Sequence, residues 1–318
     1  MFFSRFFHIL RINVQTNQII ILISVLLIGI LYFQINFSIE KLLVVFGTTS
    51  FFEIVYSRIK YGTWSFPYSG IPAGFGISFF LRTDILILYV LAWFLAISSK
   101  YLFRIQNKHF FNPSNFWVFV VLAIFPYITW TNPLQWWLVH KGFELYLLYI
   151  TLITLGFFII WRVYVNKKIN LLYIILPFFI THFLIVALLT QESWLSYHLI
   201  YAPSFFIFTF YMITDPQTVL SNIYSRIAFG SLVAVGFFVL QFFINENYSI
   251  LASLFICTIF IPIIRYFDEK NIYKKITIGN VIIFFLLFTS AIILYTLIYT
   301  YWNIDLVFDN RCRALFCI

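Results

Sequence analysis

The chain has 318 residues, of which 63% are hydrophobic, 23% aromatic and only 10% charged. Soluble domains carry about 45–50% apolar and roughly 25% charged residues, so the polar side chains here are too few to coat a water-facing globule. That composition excludes a soluble enzyme, a disordered tail and a disulfide-rich secreted fold, and predicts an all-α integral membrane protein. An outer-membrane barrel is excluded as well, because its strands would alternate apolar and polar over about ten residues. The net charge of +9 is not a nucleic-acid signature, since the basic residues sit between hydrophobic segments and set topology.

In chain order, residues 1–16 place Phe2, Phe3, Phe6, Phe7 and Leu10 among Arg5, His8 and Arg11, which suits a cytoplasmic segment lying in the membrane interface. It is not a cleaved signal peptide, because the first apolar run is long and no small-residue cleavage site follows. Eleven hydrophobic passes are predicted, over 17–37, 40–57, 67–82, 84–99, 110–128, 143–161, 170–189, 198–214, 223–244, 249–264 and 277–300. Each approaches the length needed to cross roughly 30 Å of hydrocarbon. Fifteen Lys and Arg fall in the loops on the N-terminal side and five on the other. By the positive-inside rule the N-terminus is cytoplasmic and the C-terminal tail, 301–318, is periplasmic. Cys257 lies in an apolar run, Cys312 and Cys317 close the chain, and none has metal-ligand spacing.

Two short proline-containing passes align without gaps. The segment Pro72-Ala-Gly-Phe-Gly-Ile-Ser-Phe-Phe-Leu-Arg-Thr-Asp84 matches Pro203-Ser-Phe-Phe-Ile-Phe-Thr-Phe-Tyr-Met-Ile-Thr-Asp215 at Pro, both Phe, Thr and Asp. In the predicted topology these passes run in opposite directions, the pointer to an inverted repeat with a binding site at its interface. The two halves are then residues 17–128 and 143–264, with 277–300 as an addition.

Three motifs carry polar groups to proline-broken backbone, which membrane depth tolerates only where it is packed in protein or lines a cavity. In Lys108-His-Phe-Phe-Asn-Pro-Ser-Asn-Phe116, Asn112 is placed to cap a helix beginning at Pro113. Such an N-terminus suits phosphate, carboxylate or a polarised carbonyl; the same spacing equally describes an ordinary cap at the membrane surface. In Met212-Ile-Thr-Asp-Pro-Gln-Thr218, Pro216 stops the eighth pass and leaves Asp215 beside unpaired carbonyls, placed to bind a cation or accept hydrogen bonds from a ligand, or else to cap the next turn at a simple cytoplasmic helix terminus. Arg82-Thr83-Asp84 is either a site or a self-neutralising surface pair. Glu53 and Gln241 lie inside passes, where an ionisable group is a functional hypothesis by default; Glu53 alternatively reaches water or pairs with Arg58. His140, His182 and His198 show no helical ligand pair, so no metal is expected.

Ser99-Lys-Tyr-Leu-Phe-Arg104, the Lys108–Phe116 motif, Pro133-Leu-Gln135-Trp136 and Phe210-Tyr-Met-Ile-Thr-Asp-Pro-Gln-Thr218 together resemble the RnfD/NqrB family of bacterial inner-membrane electron-transport subunits. The nearest-looking branch is the short, stand-alone RnfD-like group that includes the UnbU-type proteins. The run Ser253–Pro262, ending at Asp268, resembles that family's last core helix. The resemblance spans roughly residues 15–270. It implies ten core helices in two inverted five-helix repeats, an architecture shared with urea transporters, plus the eleventh helix here. It also implies a flavin-carrying subunit in electron transfer coupled to ion movement, with Lys108, Asn112, Pro113, Asn115, Gln135, Thr214, Asp215, Thr218, Arg82, Thr83 and Asp84 as cofactor-binding candidates.

The family's Ser/Thr-Gly-Ala-Thr attachment motif is absent, and the connection from Thr129 to Gly142 is too short for its flavinylation segment. No covalent FMN is therefore expected; FMN, riboflavin or quinone would bind non-covalently, or a partner would supply the cofactor. The Phe-rich interior accommodates a planar ring by stacking, a composition that lipid-facing helices share. The expected partners are the bilayer and membrane or periplasmic proteins. A channel or transporter for a small polar solute or ion, and a membrane anchor for an enzyme, remain as alternatives.

Overall fold

In a computed structural model of the chain, the apolar runs fold as helices separated by short turns. The structure describes residues 14–31, 39–64, 66–68, 70–105, 108–129, 143–167, 169–189, 203–215, 218–244 and 246–269. The interfacial residues 1–13, Gln135, Pro216, the pass over 277–300 and the tail with Cys312 and Cys317 lie outside them.

The first five helices are α1 (Val14–Leu31), α2 (Ile39–Tyr61), α3 (Gly70–Phe80), α4 (Leu86–Leu102) and α5 (Pro113–Ile124). A two-stranded hairpin, β1 (Arg104–Ile105) and β2 (Lys108–His109), links α4 to α5, with Arg104 opposite His109. The second set is α6 (Phe143–Lys167), α7 (Leu172–Leu189), α8 (Pro203–Ile207) running into a π-helical turn (Phe208–Met212), α9 (Ile223–Leu240), α10 (Glu246–Ile259) and α11 (Ile261–Glu269). Among the described residues, α2 and α9 are each long and apolar enough to cross a membrane. The pair α10–α11 passes the same test as a span bent by 43°.

Several predicted passes contain shorter helices than their apolar runs. The third holds the 11-residue α3 and the fifth the 12-residue α5; among the described residues of the eighth, helix runs for ten residues from Pro203 to Met212. At 1.5 Å per residue these reach about 15–18 Å, half a hydrocarbon core. The causes are local. After α3 the Thr83 hydroxyl accepts from the Ile85 N–H and donates to the Ile128 carbonyl, fixing a turn in place of another helical residue. The tenth pass breaks at Phe260, just before Pro262. Helix α2 ends at Gly62, whose φ of 70° lies in the left-handed region that glycine enters at little cost.

The tightest packing is between α7 and α9. Gly230 lies directly on the Ile174 backbone carbonyl, so that any Cβ there would collide with main chain. In the first set α2 packs on α4, and α4 on α5; in the second α7 packs on α9, and α9 on α10. The sets meet where α1 packs on α6 and α5 packs on α10. The core between them is aromatic and aliphatic, with Phe75, Phe80, Trp93, Phe178, Phe205, Phe208 and Phe237 fully enclosed.

Candidate functional site

The N-terminus of α5 is where the chain's distant parts are tied together. Asn112 adopts extended backbone (φ −70°, ψ 117°) and its side-chain oxygen accepts from the Asn115 N–H at 3.2 Å. Pro113 follows at the first helical position, where a missing N–H costs nothing. The capping geometry expected from the motif is therefore present, and the cap does more. The Asn112 amide donates to the Met212 carbonyl at 2.9 Å, across 100 residues. Ser114 Oγ donates to the Ala73 carbonyl of α3 at 3.0 Å, and the Asn115 amide to the Leu251 carbonyl of α10 at 3.0 Å. One turn of helix thus bonds to three other elements.

The Met212 carbonyl is open because its helical partner four residues on would be Pro216, which has no N–H. Just before it the Ile213 N–H reaches back five residues to Phe208 at 3.0 Å, closing the π-turn. The Met212 carbonyl then takes the Asn112 amide together with a long contact from Asp215 N–H at 3.4 Å. Thr214 and Thr218 bond locally, donating to the Phe210 and Asp215 carbonyls.

Asn115 is 1% exposed, and its side-chain oxygen has no hydrogen-bond partner among the described residues. The same two helices, α5 and α10, carry a cluster of aromatic rings. Phe119, four residues along α5, packs on Phe255 at 4.9 Å, and Phe255, four residues beyond Leu251, also packs on Phe116 at 5.3 Å and lies nearly parallel to Phe111 at 5.9 Å. Phe110, Phe103 and Trp117 extend the array. A buried acceptor and ring faces on the same elements have the chemistry to hold a planar ligand carrying an N–H or O–H donor.

Below this array runs a row of buried charges. Glu53 and Lys100 pair at 3.2 Å with both side chains almost enclosed. Glu53 also accepts from the Gly70 N–H at the start of α3. Its partner is thus Lys100 and not Arg58, which instead donates to the Gly62 carbonyl and lies over Trp64. His109 is buried in the hairpin, its Nδ1 2.8 Å from the Phe111 carbonyl. Burial pushes the His109 imidazole below its ordinary pKa, Lys100 and Arg104 push the same way, and Asp215 with the Phe111 carbonyl opposes them. Arg265 of α11 donates to the His109 carbonyl at 3.5 Å. Asp268, one turn on, accepts from Ser221, Asn222 N–H and Ser225, tying α11 to the start of α9.

The predicted site residues thus divide. Asn112, Pro113, Asn115, Thr214, Asp215 and Thr218 fall on one region, and Lys108 sits exposed on the adjoining hairpin. Arg82, Thr83 and Asp84 form a separate group: Asp84 pairs with Lys41 at 3.3 Å, Lys41 also donates to the Thr83 carbonyl, and Arg82 bonds the Tyr89 hydroxyl. Lys100, His109 and Asp268 lie in or at the end of the quoted motifs without having been named as site residues, and Arg265 lies outside them. A charged Arg–Asp pair just after the tenth apolar run was the available signal for Arg265 and Asp268. His182 is fully buried, stacked against Phe178 and Phe237, with neither ring nitrogen hydrogen-bonded among the described residues. No protein-family model matches the chain, and no curated protein matches it significantly.

Proposed function

We propose that the chain is an inner-membrane, RnfD/NqrB-like subunit in electron transfer that holds a flavin or quinone non-covalently beside α5, or receives electrons from a partner's cofactor. The observation that carries this reading is the hydrogen bond from the Asn112 amide to the Met212 carbonyl. It joins two of the motif segments on which the resemblance rests, Lys108–Phe116 and Phe210–Thr218. The enclosed Asn115 oxygen, without a partner among the described residues, and the cluster of Phe111, Phe116, Phe119 and Phe255 rings on the same elements support a planar occupant: isoalloxazine N–H or quinol O–H would supply the missing donor, and either ring would stack on the aromatic faces.

The neighbour pattern supports two five-helix halves, and the fifteen-to-five distribution of Lys and Arg between alternate loops supports a cytoplasmic N-terminus and opposite directions for the two halves. Contacts α2–α4 and α4–α5 have counterparts in α7–α9 and α9–α10, while α1–α6 and α5–α10 join equivalent helices of the two halves. The half-length α3 and α8–π-turn are equivalent in this scheme. Absorption spectra and extraction of the native, detergent-purified protein test the cofactor: flavin or quinone released on denaturation, and lost in Asn115→Leu, is the expected result. A cofactor content unchanged in that variant would refute the site. A transporter for a small ion or solute is the second reading, favoured by the buried row from Glu53 to Asp268. Solute flux in liposomes without reductant separates the two.

A further inference from the structure

At the end of α2 three cations are held against aromatic side chains, two of them on a ledge of tyrosines. Lys60 Nζ lies 5.5 Å from the centre of the Tyr101 ring and donates to the Tyr101 carbonyl at 3.4 Å. Arg104, arriving from β1, donates to the Tyr61 hydroxyl at 2.8 Å. Arg58 bonds the Gly62 carbonyl and covers Trp64 at 5.6 Å. Tyr101 stacks on Tyr56 at 5.0 Å and meets Tyr61 at 6.4 Å, so the rings form one continuous support. Arg58 and Lys60 are satisfied by carbonyls and ring faces and by no carboxylate among the described residues, and the nearby Glu53 is already committed to Lys100 and Gly70. The Arg58 and Lys60 charges are therefore positioned but not neutralised by a carboxylate among the described residues.

We infer that this ledge binds the phosphate of an anionic phospholipid headgroup, with Arg58, Lys60 and Arg104 as the phosphate-facing cations and Tyr61, Trp64 and Tyr101 as the platform at headgroup depth. The inference rests on the membrane-spanning reading of α2. Free phosphate is the other source of this chemistry, but the ledge is bordered by apolar side chains unsuited to water: Ile59 is 76% exposed, Trp64 72% and Leu102 72%. Acyl chains cover such residues, whereas a soluble anion leaves them bare. Rings at the interface and basic side chains just beyond a span are the physical requirements for holding an anionic lipid.

The test is native mass spectrometry of the full chain in detergent, titrated with phosphatidylglycerol or phosphatidylcholine. Wild type should retain phosphatidylglycerol preferentially and lose it as salt rises, and 10 mM inorganic phosphate should not displace it. Arg58→Gln, Lys60→Gln and Arg104→Gln should each weaken retention roughly fivefold, while Lys41→Gln leaves it unchanged. Arg58→Lys, which keeps the charge, should keep most of the binding and serves where a Gln variant fails to fold. Equal retention of both lipids by wild type, full competition by phosphate, or undiminished binding in the foldable Gln variants would each overturn the inference. Alkaline carbonate washing of membranes reports on the membrane reading separately: a protein that is washed off fails that reading, and one that stays but shows no lipid preference fails only the ledge.

Discussion

Replacing Asn112 by Ala removes two functions of one side chain, and the structure separates them. The cap to Asn115 N–H is worth about 1 kcal/mol. The bond to the Met212 carbonyl is worth more than an average hydrogen bond, because its loss leaves a buried acceptor with only the 3.4 Å contact from Asp215 N–H. That penalty is about 1–2 kcal/mol. Asn112→Ala should therefore lose about 2–3 kcal/mol in all, whereas Asn112→Ser keeps a capping oxygen and forfeits only the tie to Met212, losing about 1–2 kcal/mol. Reversible unfolding in mixed detergent micelles, followed by tryptophan fluorescence, measures both. A Ser variant as unstable as the Ala variant would mean that the cap contributes nothing. An Ala variant within about 0.5 kcal/mol of wild type would mean that the two segments are not held together by this bond.

The helices and their order were legible because long apolar runs punctuated by charge leave few other foldings. The lengths were not. Hydropathy reads Gly70–Phe80 as part of a full pass, since the flanking residues are equally apolar; what shortens it is a turn at Thr83, set by a hydrogen bond to the Ile128 carbonyl far along the chain. The Asn112 cap was written in its spacing from Pro113, but its second bond to Met212 was not, because no local rule links residues 100 positions apart. Glu53 stood out as an ionisable group in a pass, and its tie to Lys100 was hidden by a separation of 47 residues that only the α2–α4 packing closes. Arg58, five residues on, is the nearest cation in sequence and is drawn instead to Gly62 and Trp64.

The enclosed Glu53–Lys100 pair predicts that Lys100→Met alone costs about 3–5 kcal/mol, and that adding Glu53→Gln recovers part of the loss; a double variant no better than the single would refute the pairing. Gly230→Ala should destabilise by about 1–3 kcal/mol by pushing α9 off the Ile174 carbonyl, while Gly47→Ala, with open space around it, should be neutral or stabilising; equal unfolding midpoints would refute that contact. The last prediction concerns acid. His109 is held neutral chiefly by burial, with Lys100 and Arg104 opposing its protonation and Asp215 favouring it. Its folded pKa is thus below the unfolded value of about 6.5, so the unfolded chain binds the proton more readily. The stability this confers is complete above about pH 6.5 and drains away as pH falls below it. Because Arg265 fixes the His109 carbonyl and Nδ1 faces the Phe111 carbonyl, an imidazolium formed there cannot turn away to water without opening the hairpin. Unfolding free energies between pH 7.5 and 5 should fall less steeply in His109→Gln than in wild type, and parallel curves would show that the imidazole titrates freely.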